Sequence, residues 1–367
     1  MIFSIRFVTA TCLFLLLGKA NIWLSPLSNI ILAMGYRFFL LLSPLLNRVC
    51  GRFAVSTALV LAALGICLFC FQKEGLLILG AVLVGIGLSI SGFLIKAKAA
   101  ETPSGAAHNK IALNLGSFVS GLVLLFTFNS KQIFFGACAV VLIFTALGAY
   151  ITSKKEVKYN ANVSLGNPHV FNKRHFFAWL LIGVAVGIKL FSVFSVLPQY
   201  LIDKKGILPS WYGLMILLNS FVVIIFQLPI IHWVERCSDT YKPFKVVIFV
   251  MIFGMLIISC PGFFYAEYFL GSFFWILLLS LVECFASYLD LLGAKAQFLL
   301  VKETAVGLGA GLTVFLSREL SSPFSSVSIG FIGIATILLA AVLLKKDQKP
   351  TLNYDKMSNM NWGGELT

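Results

Sequence analysis

Four ionisable side chains stand inside stretches that are otherwise apolar: Arg37, Lys189, Glu283 and Asp290. A charge in hydrocarbon costs at least ~2.5–3.5 kcal/mol on insertion scales, so such residues face a partner or a water-filled cavity. Seven residues separate Glu283 from Asp290. On one helix that spacing puts both carboxylates on the same face, about 10 Å apart. If the face borders a cavity, both are candidates for proton coupling, Glu283 foremost because it lies nearer the centre of its helix. Asp290, closer to a helix end, is expected to be better hydrated. Arg37 is a candidate partner for a substrate anion or for a carboxylate, and Lys189 is a second candidate contact for substrate. The alternative for Lys189 and Glu283 is a buried ion pair that only fastens two helices together. Gln199, Asn219 and Gln227 are neutral polar groups in apolar runs. They either line the same cavity or hydrogen-bond one helix to another.

The elements that must position these groups follow from composition. The 367-residue chain is 59% hydrophobic and 11% charged, against about 45–50% and 25% for soluble domains. Its mean hydropathy is +0.97. Soluble enzymes, disordered chains and nucleic-acid modules are excluded. The formal charge of +14 comes from Lys and Arg clustered between apolar runs. That distribution marks membrane topology rather than a polyanion partner.

A helix crossing the hydrocarbon needs about 20 apolar residues. The runs give twelve spans: 2–18, 26–47, 54–72, 76–95, 111–129, 133–152, 176–200, 209–233, 245–265, 269–292, 304–320 and 325–344. They are too long for barrel strands and do not alternate. Met1–Leu17 also has the outline of a signal peptide, but removing it leaves an unpaired number of spans. With the N-terminus inside, nineteen loop cations fall on the cytoplasmic side and six on the other. Lys96, Lys110 and Lys302 are among the nineteen. Both termini are therefore expected in the cytoplasm, in a bacterial inner (plasma) membrane.

The longest internal polar interval, Lys154–Arg174, divides six spans from six. The expected organisation is an all-α membrane protein. An N-terminal six-helix bundle (1–153), a cytoplasmic linker (154–175), a C-terminal six-helix bundle (176–345) and a tail (346–367) make it up. Two such repeats are the plan of a transporter whose site lies between them at mid-membrane.

Several motifs carry a family likeness. Leu197-Pro198-Gln199-Tyr200-Leu201, Gly206, Trp211-Tyr212-Gly213 and the stretch from Asn219 to Gln227-Leu228-Pro229 follow one another. They resemble the seventh helix, external loop and eighth helix of exporters of the major facilitator superfamily. Ser43-Pro44-Leu45-Leu46-Asn47-Arg48-Val49-Cys50-Gly51-Arg52 resembles that superfamily's signature loop after the second helix. It departs in having Ser43 for the leading Gly, Asn47 for the usual Asp, and one extra residue before Gly51-Arg52. Glu235-Arg236 stands where the matching motif of the second half is expected. The likeness implies that Asn47, Arg48, Gly51, Arg52, Glu235 and Arg236 act in conformational switching. Ala81 occupies the place where many proton-coupled relatives carry Arg.

The resulting expectation is a secondary-active transporter: a proton-coupled exporter of a drug, siderophore or secondary metabolite, working as a monomer in lipid. A proton-symport importer of a nutrient is the alternative, and a non-transporting receptor or assembly factor on the same scaffold is a third. No hydrolase triad, phosphate loop or metal-ligand spacing is present. The chain is thus expected to be no enzyme, to need no cofactor or metal, and to have a small molecule and protons as partners.

Overall fold

The computed structural model describes residues 2–71, 73–99, 103–126, 130–155, 173–236, 241–260, 268–286, 288–295 and 298–345. These residues are almost entirely helical. The first half of the chain holds α1 (Ile2–Trp23), α2 (Pro26–Phe38), α3 (Ser43–Cys50), α4 (Ala54–Leu68), α5 (Glu74–Ala99), α6 (Pro103–Leu125) and α7 (Lys131–Lys155). After residues 156–172 come α8 (Lys173–Phe191), α9 (Leu197–Lys205), α10 (Tyr212–Arg236), α11 (Tyr241–Ser259) and α12 (Tyr268–Ala286). The chain ends with α13 (Tyr288–Lys295), α14 (Leu299–Glu319) and α15 (Phe324–Lys345).

Among the described residues nine helices are long and apolar enough to cross a membrane, and Pro26–Leu42 and Pro243–Ser259 are shorter apolar helices. α6 meets neither description, because its face carries Asn109, Lys110, Asn114, Ser117 and Ser120 toward the protein interior. Inside a bundle those groups find partners: Ser120 Oγ donates to the carbonyls of Thr11 (2.9 Å) and Gly116 (2.7 Å). Large apolar side chains remain on the outside, among them Phe144, Phe249, Phe331 and Val342. In water such a surface would drive aggregation, whereas lipid covers it at no cost.

Local sequence explains the ends and the breaks. Ser25 caps α2, its Oγ accepting from Ser28 N–H at 3.3 Å, with Pro26 in the first turn where its missing N–H is harmless. α2 runs through a 3₁₀ turn at Phe39–Leu42 into α3, ahead of Pro44. α9 stops at Gly206, whose φ of 73° is the left-handed cap conformation that glycine adopts without strain. Between α8 and α9 the backbone widens into a π-helical turn, Ser192–Val196. The buried Tyr212 hydroxyl donates to the Val193 carbonyl there at 3.1 Å.

Helices before and after residues 156–172 meet chiefly where α2 packs on α14 and α6 on α10. Glycines allow both approaches. A Cβ on Gly213 would lie 2.6 Å from the Gly121 carbonyl oxygen and 2.9 Å from Leu125 N. On α14, Gly307 and Gly311 face Met34 of α2, while Gly309 faces Val184 of α8. Backbones this close trade side-chain volume for dispersion contacts, the usual packing device where lipid supplies no hydrophobic drive.

One expected boundary is corrected, while the tenth expected span, 269–292, coincides with one apolar stretch over Phe269–Asp290. The eleventh begins five residues earlier than expected, at Leu299, so Lys302 and Glu303 belong to α14 and are 1% and 3% exposed. The linker expectation for 154–175 falls mostly on residues outside the described set, and so does the tail at 346–367.

Candidate functional site

A cavity of about 110 Å³ runs between α1, α2, α5, α6, α8, α12, α13 and α14. It follows α1 from Arg6 to Leu17, about 16 Å at 1.5 Å rise per residue. One end is charged and the other apolar. Leu13, Phe14, Leu17, Leu190, Phe191 and Phe194 form the apolar end, where the Phe14 and Phe194 rings stack at 5.2 Å.

At the charged end, carboxylates are shared among cations from several helices. Glu303 on α14 accepts from Arg37 Nη1 on α2 at 2.6 Å and from Lys302 Nζ at 2.9 Å. Lys96 of α5 stands 3.1 Å from the same carboxylate. Asp290 on α13 accepts from Lys302, with Lys96 at 3.5 Å and Lys110 of α6 at 3.8 Å. Further along, Lys189 of α8 donates to Glu283 of α12 at 2.6 Å. Ionised groups this deep persist only when paired and hydrogen-bonded. The Arg37 guanidinium also lies 4.5 Å from the Tyr36 ring centroid, a cation–π contact.

Arg37, Lys189, Glu283 and Asp290 are thus brought to one cavity. The Lys189–Glu283 ion pair forms, and both partners line the cavity. The expected difference in hydration between the carboxylates is absent: the Glu283 and Asp290 side chains are 22% and 23% exposed. Asp290 has more cationic neighbours than Glu283 because α13 leans its acid toward α5, α6 and α14.

The neutral polar candidates Gln199, Asn219 and Gln227 are not among the residues lining this cavity. Gln199 donates to Asp203 Oδ1 at 2.8 Å and borders a separate shallow depression with Ser317 and Arg318. Asn219 is buried and accepts from Ser280 Oγ at 2.9 Å, tying α10 to α12. Gln227 is buried on α10, and neither it nor Asn219 lines the cavity. Asn219 thus connects two helices, the second of the two readings open to it.

The signature-loop residues lie at the surface. Arg48, Gly51 and Arg52 are exposed and Asn47 half-buried. Arg52 stacks over Phe53 at 4.8 Å, and among the described residues no ion pair involves Arg48 or Arg52. Gly51 has φ 51°, which suits glycine. Arg236 is exposed at the end of α10, and the side chain of Glu235 lies outside the described set.

Sequence reasoning missed Arg6, Lys96, Asn109, Lys110, Lys302 and Glu303. Three of these cations had been assigned to loops, but their helices run further than the apolar stretches do. One signal was available. The apolar run Thr304–Ser317 is too short to span, so its helix had to take in flanking charges.

The fold is that of known transporters. It matches a POT-family transporter in complex with 5-aminolevulinic acid, at TM-score 0.71 and 13% identity over 95% of this chain and 96% of that one. A peptide transporter POT mutant in complex with alafosfalin matches at TM-score 0.67 and 15% identity, over 94% and 93%. A POT-family transporter holding a thioalcohol-conjugated peptide matches at TM-score 0.71 and 13% identity, over 95% and 96%. No protein-family model and no curated protein sequence matches the chain. Apolar helices and this architecture together make the chain a multi-pass integral membrane protein with the fold of these transporters.

Proposed function

We propose that the chain is a secondary-active transporter of a small molecule, working by alternating access in the direction of uptake. The observation that carries this reading is the set of ion pairs at one end of the cavity. Arg37–Glu303, Lys96–Glu303, Lys96–Asp290 and Lys110–Asp290 all join helices before residue 156 to helices after residue 172. Such pairs hold one mouth shut in one state and must part when that mouth opens. In this reading the bundles 1–153 and 176–345 rock about the cavity, and residues 154–175 link them in the cytoplasm.

Protons supply the bias. A carboxylate that loses its cation when the mouth opens is left expensive to ionise and takes up a proton, and re-pairing releases it. Asp290 and Glu303, whose partners stand on the other half, belong to the gate, and Glu283, paired with Lys189 of its own half, is freed to take a proton when that lysine turns to a substrate in the cavity. Export was the first expectation from the sequence. The ligands named in similar structures are a peptide conjugate and 5-aminolevulinic acid, compounds of nutrient size, and they favour import instead.

Proteoliposomes with an internal pH indicator test the reading. A panel of dipeptides, amino acids and organic acids is offered under an imposed pH gradient. At least one compound should carry protons inward with it, and Glu283→Gln should abolish that coupled flux. No proton-linked flux with any member in either direction would end the transporter reading; outward accumulation would restore export.

A further inference from the structure

The cavity lining holds six cations, Arg6, Arg37, Lys96, Lys110, Lys189 and Lys302, against three carboxylates, Glu283, Asp290 and Glu303. Each carboxylate is already taken up by the ion pairs described above. Arg6 is the cation they leave out. It is 3% exposed on α1 and hydrogen-bonds the Tyr36 side chain, but it forms no ion pair with any described carboxylate and its Nε has no hydrogen-bond partner. Gly92 of α5 makes room for it: a Cβ there would sit 2.7 Å from Arg6 Nη1. Beside Lys110, Asn109 on α6 is 7% exposed, lines the same cavity and has no partner for its Oδ1. The amide can turn to offer its N–H₂ instead.

A buried guanidinium without a counter-charge is costly unless something anionic arrives. We infer that the cavity takes an organic anion. Its acidic head, carrying more than one negative charge, meets Arg6, Asn109 and the surplus lysines. Its apolar or aromatic remainder lies against Phe14, Phe191 and Phe194. A zwitterion fits less well, because every carboxylate that could receive its ammonium is already held by lysine or arginine. Arginine suits this role, since its planar fork pairs bidentately with carboxylate and phosphate. The inference rests on the transporter reading for the movement of the anion, but its binding stands apart from it.

The test uses the purified full-length protein in detergent, with phenyl phosphate, benzoate, benzylamine and dialanine as probes in a thermal-shift and competition assay. Phenyl phosphate should bind about tenfold or more tighter than benzoate, the worth of one further charge-assisted hydrogen bond. Benzylamine and dialanine should not compete. Arg6→Gln should weaken phenyl phosphate binding at least about tenfold by the same reasoning, with Arg6→Lys recovering part of it. Should Arg6→Gln fail to fold, Asn109→Asp carries the test, because it adds a negative wall charge and removes no cation. It should abolish anion binding. Absence of phenyl phosphate binding, equal binding of dialanine, or wild-type affinity in Asn109→Asp would overturn the inference. Dialanine flux in liposomes without anion binding would overturn it while leaving the transporter reading intact. Anion binding with no gradient-driven flux of any compound would do the reverse.

Discussion

Glu303→Gln is the most informative single change, because one carboxylate joins three helices. It accepts from Arg37 at 2.6 Å and Lys302 at 2.9 Å, with Lys96 at 3.1 Å, and its side chain is 4% exposed. Glutamine keeps the shape and one acceptor oxygen, but its amide presents N–H₂ to a cation. Removing one partner of a buried ion pair costs ~3–5 kcal/mol. Asp290 stays within reach of Lys302 and Lys96 and offsets part of the loss, so the low end, ~3 kcal/mol, applies. The loss falls on the state in which α2, α5 and α14 are drawn together, since the contact exists only there. A shift of ~3 kcal/mol changes the ratio of closed to open roughly 100-fold. The assay is the modification rate of a single cysteine at Leu113, on the cavity wall, by a membrane-impermeant reagent in a cysteine-free background. Glu303→Gln should raise that rate in proportion to the open population. A rate unchanged within twofold would refute the gate, and a rate rise matched by Arg52→Gln would show general loosening instead.

Further outcomes follow from the same geometry. Glu283→Gln leaves Lys189, 1% exposed, without its carboxylate and should lower thermal stability by ~3–5 kcal/mol. Lys189→Met with Glu283→Leu should recover most of that stability while abolishing coupled flux, as measured by melting and by vesicle pH. Gly307→Ala adds a methyl against the α2 backbone at Met34 and Phe38 and should cost ~1–3 kcal/mol as overpacking. Slowed transport with unchanged substrate affinity would be its signature, and wild-type turnover would argue against a tight α2–α14 contact during transport. Asn47→Asp, on a half-buried site beside exposed arginines, should shift cavity labelling by less than ~0.5 kcal/mol. Cysteines placed at Asn162 and Lys204 should label from opposite faces of the membrane, and labelling from one face would break the proposed topology.

The sequence by itself determined that the chain is helical and belongs in a bilayer. Charge-free runs such as 54–71 and 325–344 have few other physical outcomes, because lipid leaves no partner for an open backbone. It also singled out Arg37, Lys189, Glu283 and Asp290, since a lone charge in an apolar run is visible without any fold. The partners of those charges were not visible. Hydropathy reads the edge of an apolar run as the edge of a helix, so Lys96, Lys110, Lys302 and Glu303 fell into loops. Tertiary packing decided otherwise. Glycines on α14 draw its first turns against α2 and α8, and the charged ends of α5, α6 and α14 converge on α13. Interior position there comes from neighbouring helices, not from the hydrophobicity of the segment itself. The same holds in reverse for Asn219, which looked like a cavity residue. Its composition offered a choice between substrate and helix, and only the placement of Ser280 across from it decided the choice.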